Sequence, residues 1–236
     1  MIRAFYSGSA GLKSQQNAVD ITANNIANLE TTGYKQKKEK FSDLLYSSMV
    51  GLGVNSPNTT RLEVGNGATI SSVQSDMSAG GFQETGVSTN FGIDGNGFFA
   101  VKDAAGNTSY TRDGSFRATS EKDGVYLEDT NGRKVLDKNQ NYIKIDNETL
   151  STQPGVFGFS NSTALQATGD NNYTATQLSG VPTAMDTPIK SGYLEGSNVD
   201  ISQQMTHLIV SQRSFQMSSK VVQTADQIAE MANQLR

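Results

Sequence analysis

The chain has no cysteine, no tryptophan and a single histidine among its 236 residues. Without cysteine there are no disulfides, thiolate nucleophiles or cysteine metal ligands. One histidine, His207, rules out a His pair or a His-rich metal site within one chain. Long apolar runs are missing too. No stretch approaches the roughly 20 residues that cross a bilayer, and the opening "MIRAFYSGSAG" lacks a sustained apolar segment, so neither membrane insertion nor a cleaved signal peptide is expected. Basic excess is also lacking: the net charge is −4 and the pI about 5.0, which speaks against a duplex nucleic acid partner. The one basic cluster, Lys35-Gln36-Lys37-Lys38-Glu39-Lys40, reads as a solvated face following a helix.

What is present divides by period. Ile2, Phe5, Ser9, Leu12, Gln16, Val19, Ala23 and Ile26 repeat at spacings of three and four and predict an N-terminal seam helix, weakened by Gly8 and Gly11. Near the other end, Ile201, Met205, Leu208, Gln212, Phe215 and Val222 share a stripe that Ala225, Ala229, Ala232 and Leu235 continue after a one-residue slip. This predicts one long helix over about 199–234, started by a Ser197 or Asn198 cap with Asp200 in its first turn. Between the two the period falls to two. "GIDGNGFFAVKDAAGNTSYTRDGSFRAT" reads as three strands and two turns, with Asp94-Gly95, Gly106-Asn107 and Asp113-Gly114 supplying residues that tolerate positive φ. "GVYLED", "RKVLD" and "YIKID" read as further strands, and "GVFGF" puts Phe157 and Phe159 on one face. The expected class is α+β: long N- and C-terminal helices, paired antiparallel in a coiled-coil-like core, flank a central all-β domain. The expected divisions are an N-terminal helix and turn at 1–40, a link with a short ordered piece at 41–65, a β-rich domain at 66–195 and a C-terminal helix at 196–236.

Candidate chemistry is thin. Gly95-x-Gly97-x-x-Ala100 matches a dinucleotide fingerprint in letters, but the following Phe98-Phe99-Ala100-Val101 continues as a strand where pyrophosphate needs a helix N-terminus. Asp137, Asn139, Asn141 and Glu148 fall at calcium-loop spacings, yet Tyr142 occupies the position that requires glycine. His207, with Ser211 one turn on and Asp200 two turns back, has no sign of an oxyanion donor beside it. Asp123, Glu128 and Asp129 read as solvated carboxylates at a turn. The sequence therefore gives no catalytic group, no metal site and no cofactor. Its character is architectural: helical ends with uncovered faces on a β body, a form that builds rings or filaments through heterologous contacts.

"ANNIANLETTGYK" (23–35) resembles the signature of the flagellar rod and hook axial proteins. "KFSDLLY", "IDGNGFF" (93–99), "YTRDGSF" (110–116), "LEGSNVD" (194–200) and "SQRSFQMSSKVVQTADQIAEMANQL" (211–235) continue the resemblance, which is strongest toward the distal rod branch. Leu29-Glu30 depart from the Val-Asn common there, and the middle is short for that branch, leaving proximal rod and hook paralogues as alternatives. A β-rich adhesin or fibre module with coiled-coil ends is the alternative from another class. The resemblance implies a bacterial flagellar basal-body subunit, exported by the flagellar type III apparatus, that polymerises with itself and meets other rod and hook proteins in a hollow torque-bearing shaft. It implies no enzymatic activity. It also implies subunit-assembly roles for Asn24, Asn25, Asn28, Thr31, Thr32, Gly33 and Tyr34 at the N-terminal signature, and for Asn198, Asp200, Gln212, Arg213, Phe215, Ser219, Lys220 and Asp226 toward the C-terminus. Asn24, Asn25 and Asn28 would bridge neighbouring subunits, while Thr31-Thr32-Gly33 would end the helix and turn the chain outward.

Overall fold

A computed structural model describes residues 2–49, 62–121, 124–146, 149–150 and 152–234. The chain forms two compact units. One comprises Met1–Ile26, Lys37–Gln74 and Ile201–Arg236; the other comprises Ala27–Gln36 and Ser75–Asp200. The link expected at 41–65 falls partly outside the described residues; its described parts are mostly strand, interrupted at 44–46.

The first unit holds α1 (Ile2–Ala27), β1 (Lys37–Asp43), β2 (Ser47–Met49), β3 (Leu62–Val64), β4 (Ala68–Ser75) and α2 (Ile201–Gln234). β1 pairs with β4 and β2 with β3, giving two separate ribbons. The helices run antiparallel. Gly8 lies against Val222 and Gly11 against Ser218, while Asn25 Nδ2 donates to Gln204 Oε1 at 3.2 Å. Both helices therefore form as the apolar periodicity predicts, but the predicted seam is met only in part: it holds at Leu208, Phe215, Val222, Ala225 and Ala229 of α2 and shifts on α1. On α1 the buried positions are Gly8, Ser14, Ala18, Thr22 and Asn25; all but Ser14 stand one residue before a predicted seam position, while Leu12, Val19 and Ile26 of the predicted seam are half-buried. One residue rotates a helix face by about 100°. On α2 the inward positions are Gln204, Leu208, Ser211, Phe215, Ser218, Val222, Ala225 and Ala229, whereas Ile201, Met205 and Gln212 are exposed. The physical reason is distance. A Cβ on Gly8 would stand 2.7 Å from Val222 Cγ2, so this approach admits only the smallest residues and turns the large apolar ones aside.

The second unit is built of antiparallel β-structure. Its strands are β5 (Phe82–Glu84), β6 (Phe91–Ile93), β7 (Phe98–Lys102), β8 (Thr108–Thr111), β9 (Arg117–Glu121), β10 (Gly124–Glu128), β11 (Lys134–Val135), β12 (Lys144–Asp146), β13 (Thr149–Leu150), β14 (Val156–Gly158), β15 (Gln166–Gly169), β16 (Asn172–Thr174), β17 (Thr183–Met185), β18 (Ile189–Ser191) and β19 (Tyr193–Glu195). β7 is the centre. It pairs with β8 along one edge and with β14 and β11 along the other. Its alternation explains why "FFAV" carries no polar residue. Phe99 and Val101 enter one core with Phe91, Phe116, Leu127 and Val156, while Phe98 and Ala100 enter a second core with Tyr110, Phe157 and Tyr173. Phe157 and Phe159 share a face as predicted, and both rings meet Tyr110.

The chain bends at Asp94-Gly95 and at Gly106 as predicted, but Asp113-Gly114 joins two strands that do not pair with each other. Gly95, Gly97 and Gly106 take positive φ, but Gly114 does not. Gly114 is required because a Cβ there would lie 1.7 Å from the Phe91 carbonyl oxygen. β18 pairs with β6 and β19 with β5, so the segment leading to α2 lies beside the start of the β unit.

Candidate functional site

The signature "TTGYK" lies outside α1, in the turn after it. Thr31 N donates to Asn28 O at 3.3 Å and Tyr34 N donates to Thr31 O at 3.3 Å, closing two successive turns. Gly33, at φ +67°, then brings the chain onto the backbone of Arg112 and Asp113, where a Cβ would come within 2.7 Å. Thr32 Oγ1 donates to Asp113 Oδ1 at 2.9 Å, and Asn171 Nδ2 donates to the Thr32 carbonyl at 2.7 Å. Gly33 N donates to the Glu195 carbonyl at 2.8 Å. Tyr34 is buried, and burial followed by repulsion from Tyr173 pushes its phenol up to about 12.

Lys35 is only 1 % exposed, which corrects its reading as part of a solvated basic face. Its ammonium donates to Glu195 Oε1 at 2.6 Å and to the Ser78 carbonyl at 2.7 Å. The other Glu195 oxygen accepts from Arg112 Nη1 at 3.0 Å, and Gly80 N donates to Oε1 at 3.0 Å. Arg112 Nη2 donates to the Gly95 carbonyl at 2.9 Å, and the guanidinium lies over the Phe98 ring at 5.4 Å. Arg112 and Glu195 are 2 % and 1 % exposed, so three charges are out of water together with a net charge of +1. Burial lowers the Lys35 pKa, its largest influence, and Glu195 works against that shift.

Four of the quoted motifs thus converge on one buried polar hub: "TTGYK" brings Lys35, "IDGNGFF" the Gly95 carbonyl, "YTRDGSF" Arg112 and Asp113, and "LEGSNVD" Glu195. Arg112 and Glu195 were not singled out from the sequence. The available signal was a charged residue inside each of three short motifs in a chain with few apolar residues to spare. Asn198 joins the same hub. Its Oδ1 accepts from Gln36 N at 2.7 Å, and its Nδ2 donates to the Asp76 carbonyl at 2.8 Å. α2 starts at Ile201, so Asp200, rather than Ser197 or Asn198, stands at the cap position.

The amides of α1 divide. Asn25 is buried and reads β1 as a neighbouring strand would: Nδ2 donates to the Lys37 carbonyl and Oδ1 accepts from Lys37 N, both at 2.9 Å. Asn24 is exposed. Asn28 and Thr31 line an open cleft of about 410 Å³ with Asp113, Asp129, Asp170 and Asn171. Glu128 and Asp129 are buried rather than solvated, and burial raises the Asp129 pKa; Asp123 lies outside the described residues. Of the calcium-loop positions, Asp137 Oδ1 accepts from Lys138 N, and Glu148 lies outside the described residues. Among the described residues no group of three or more His, Cys, Asp or Glu could hold a metal ion, and no helix is long and apolar enough to cross a membrane. His207, Gln212, Arg213, Lys220 and Asp226 are exposed on α2, while Phe215 and Ser219 are half-buried.

Large apolar groups are exposed on both helices as well as in loops such as those of Leu45, Leu178 and Val181. On α2, Val210, Met217, Val221, Ile228 and Met231 form a second stripe at spacings of seven, four, seven and three, and Met217 is 63 % exposed. Phe5 and Tyr6 of α1 are similarly bare.

Two family models match the chain, "Flagella basal body rod protein" over residues 5–35 and "Flagellar basal body rod FlgEFG protein C-terminal" over residues 190–235. They cover the two segments that supply the helices, Lys35 and Glu195. Among curated relatives, the flagellar basal-body rod protein FlgG of Bacillus subtilis is 32 % identical over 98 % of this chain and 97 % of its own length. FlgG of Agrobacterium fabrum is 33 % identical over 98 % of each. The flagellar hook-basal body complex protein FlhP of Bacillus subtilis is 30 % identical over the full length of both. The alignment to Bacillus FlgG spans 267 positions against 236 residues here, so this chain lacks residues that the relative carries. By full-length identity, and by family matches at both of its helical segments, the chain belongs to the flagellar basal-body rod protein family.

Proposed function

We propose that this chain is a structural subunit of the flagellar basal-body rod that polymerises through its terminal helices. The observation that carries the reading is the second apolar stripe of α2. Leaving several large aliphatic side chains half bare forgoes about 1 kcal/mol or more each, which a neighbouring copy recovers by covering them. The inward faces of α1 and α2 bury small residues against each other, and the outward stripes remain for other subunits. In the polymer these helices form a coiled-coil-like inner core around an export channel, and the shaft carries torque from motor to hook. The distal rod is the favoured position because several full-length relatives are FlgG proteins. The match to FlhP keeps a second rod or hook paralogue as the alternative reading. Its partners are copies of itself, adjoining rod and hook proteins, and the flagellar export apparatus, which passes it outward.

Among the signature residues, the assembly role falls to those exposed at the surface, Asn24, Asp200, Gln212, Arg213, Lys220 and Asp226, with Asn28 and Thr31 at the cleft. Asn25, Thr32, Gly33, Tyr34 and Asn198 serve assembly by shaping the chain that presents them. The test is a double substitution on the outward stripe, Met217→Glu with Val221→Glu. The purified variant should keep its circular dichroism and unfolding midpoint, while basal bodies from cells making it should lack a complete rod in electron micrographs. Rods of normal length would refute the proposal.

A further inference from the structure

The hub has a feature that the rod reading does not use. Its one carboxylate comes from residue 195, and its two cations come from residues 35 and 112. Remove that carboxylate and two cations remain in one buried place, where the hydrogen bonds left to them among the described residues go to backbone carbonyls, Ser78 O for Lys35 and Gly95 O for Arg112, beside the Phe98 ring under the guanidinium. The next carboxylate acting on Lys35 is that of Asp76, and its attraction is weaker than the repulsion from Arg112.

We infer that Glu195 is a completion latch: the signature segment 27–36 docks on the β unit only when residue 195 has arrived to neutralise Lys35 and Arg112.

Three further contacts make docking conditional on the same stretch. Gly33 N donates to the Glu195 carbonyl, Gln36 N donates to Asn198 Oδ1, and Asn198 N donates to the Tyr34 carbonyl. Residues 195–198 thus supply partners for the backbone of Gly33, Tyr34 and Gln36 as well as for the Lys35 charge. A chain delivered N-terminus first cannot fix its signature turn until the segment immediately before α2 is present. Early docking is opposed by like charge as well as by missing hydrogen bonds. Partly delivered chains would therefore hold an unfixed signature, and only a chain complete through residue 198 would hold an ordered one.

The inference is independent of where in the flagellum the subunit sits. It makes an asymmetric prediction about the full-length protein. Glu195→Gln keeps the shape and one acceptor oxygen but leaves two buried cations. Lys35→Met removes a cation and leaves the neutral Arg112–Glu195 pair intact. Amide hydrogen exchange reads both. In Glu195→Gln, exchange at Gly33 and Gln36 should rise by about a hundredfold or more, while amides of Phe99, Val101 and Leu127 in the core keep their protection. In Lys35→Met, Gly33 and Gln36 should rise by no more than about tenfold. Equal exchange in wild type and Glu195→Gln would overturn the latch. So would Lys35→Met exchanging as fast as Glu195→Gln, since charge balance would then not be the cause. Loss of core protection in Glu195→Gln would overturn it as well, because Glu195 would then hold the β fold as a whole.

Discussion

Gly33 and Gly86 share a backbone conformation, φ +67° at both, but not an environment. A Cβ on Gly86 would meet nothing within 4 Å, whereas one on Gly33 would lie 2.7 Å from Arg112 C and Asp113 N and 2.9 Å from Arg112 O. Replacing each with alanine therefore separates two costs. The left-handed conformation costs an L-residue about 1–2 kcal/mol at either position. At Gly33 the new methyl also presses on backbone, which cannot rotate away, adding about 1–3 kcal/mol of overpacking. The expected losses are about 1–2 kcal/mol for Gly86→Ala and about 2–5 kcal/mol for Gly33→Ala. Urea denaturation followed by tyrosine emission is a suitable assay, because the chain has eight tyrosines and no tryptophan to mask them. At about 3 °C per kcal/mol for a unit of this size, the two variants should also part in thermal midpoint by several degrees. Equal losses would refute the reasoning: the glycine of the signature would then be needed for its dihedral angle alone, and the close approach to Arg112 and Asp113 would carry no energy.

Asn25→Ala removes both partners of Lys37 and one of Gln204, and should cost about 2–4 kcal/mol in denaturant unfolding; a loss below 1 kcal/mol would mean that water replaces the amide. Tyr34 holds its proton to about pH 12 when folded and to about 10 when unfolded, so its contribution is complete below pH 10 and is lost as pH rises toward 12. That amounts to about 2–3 kcal/mol, and Tyr34→Phe should flatten the fall in stability over this window by that amount, the remaining slope coming from Tyr110 and Tyr173, whose pKa values burial also raises. Asp129→Asn should raise the unfolding midpoint at pH 7, where burial penalises the charge, and change little below pH 3, where the carboxyl is already neutral; destabilisation at pH 7 would show that the hydrogen bond from Thr130 N, with attraction to Arg133, outweighs burial.

Much of the fold was legible because period and turn chemistry are local. "FFAV" next to glycine pairs could only be a strand buried on both faces, and the long stripes at either end could only be helices. Which face of each helix meets the other was not legible. Hydrophobic periodicity finds the most apolar stripe and assigns it inward, but Gly8, Gly11 and Ser218 allow an approach at which small residues are the better neighbours. On α2 the difference is partial, since Leu208, Phe215 and Val222 do face inward while Met205 does not. The buried hub was invisible for another reason. Its members are separated by 160 residues from Lys35 to Glu195 and by 83 from Arg112 to Glu195, and nothing local marks a lysine as the partner of a distant glutamate.

The amides and charges of the signature also show why a motif that marks an assembling family need not itself be the assembling surface. Asn25, Gly33 and Lys35 are buried inside their own chain, while bare aliphatic residues of α2 include the stripe of Val210, Met217 and Val221. An aliphatic contact between copies tolerates exchange among Val, Ile, Leu and Met, because the energy follows area and volume more than identity. The hub tolerates no such exchange. Lys35 must reach one oxygen at 2.6 Å, and Gly33 must pass a backbone that leaves no room for a methyl. Residue identity is therefore constrained where the chain closes on itself, and only residue class would be constrained on the stripe where the proposed polymer contact lies. On that proposal, changes at the hub should act through folding, and changes on the stripe through polymer growth.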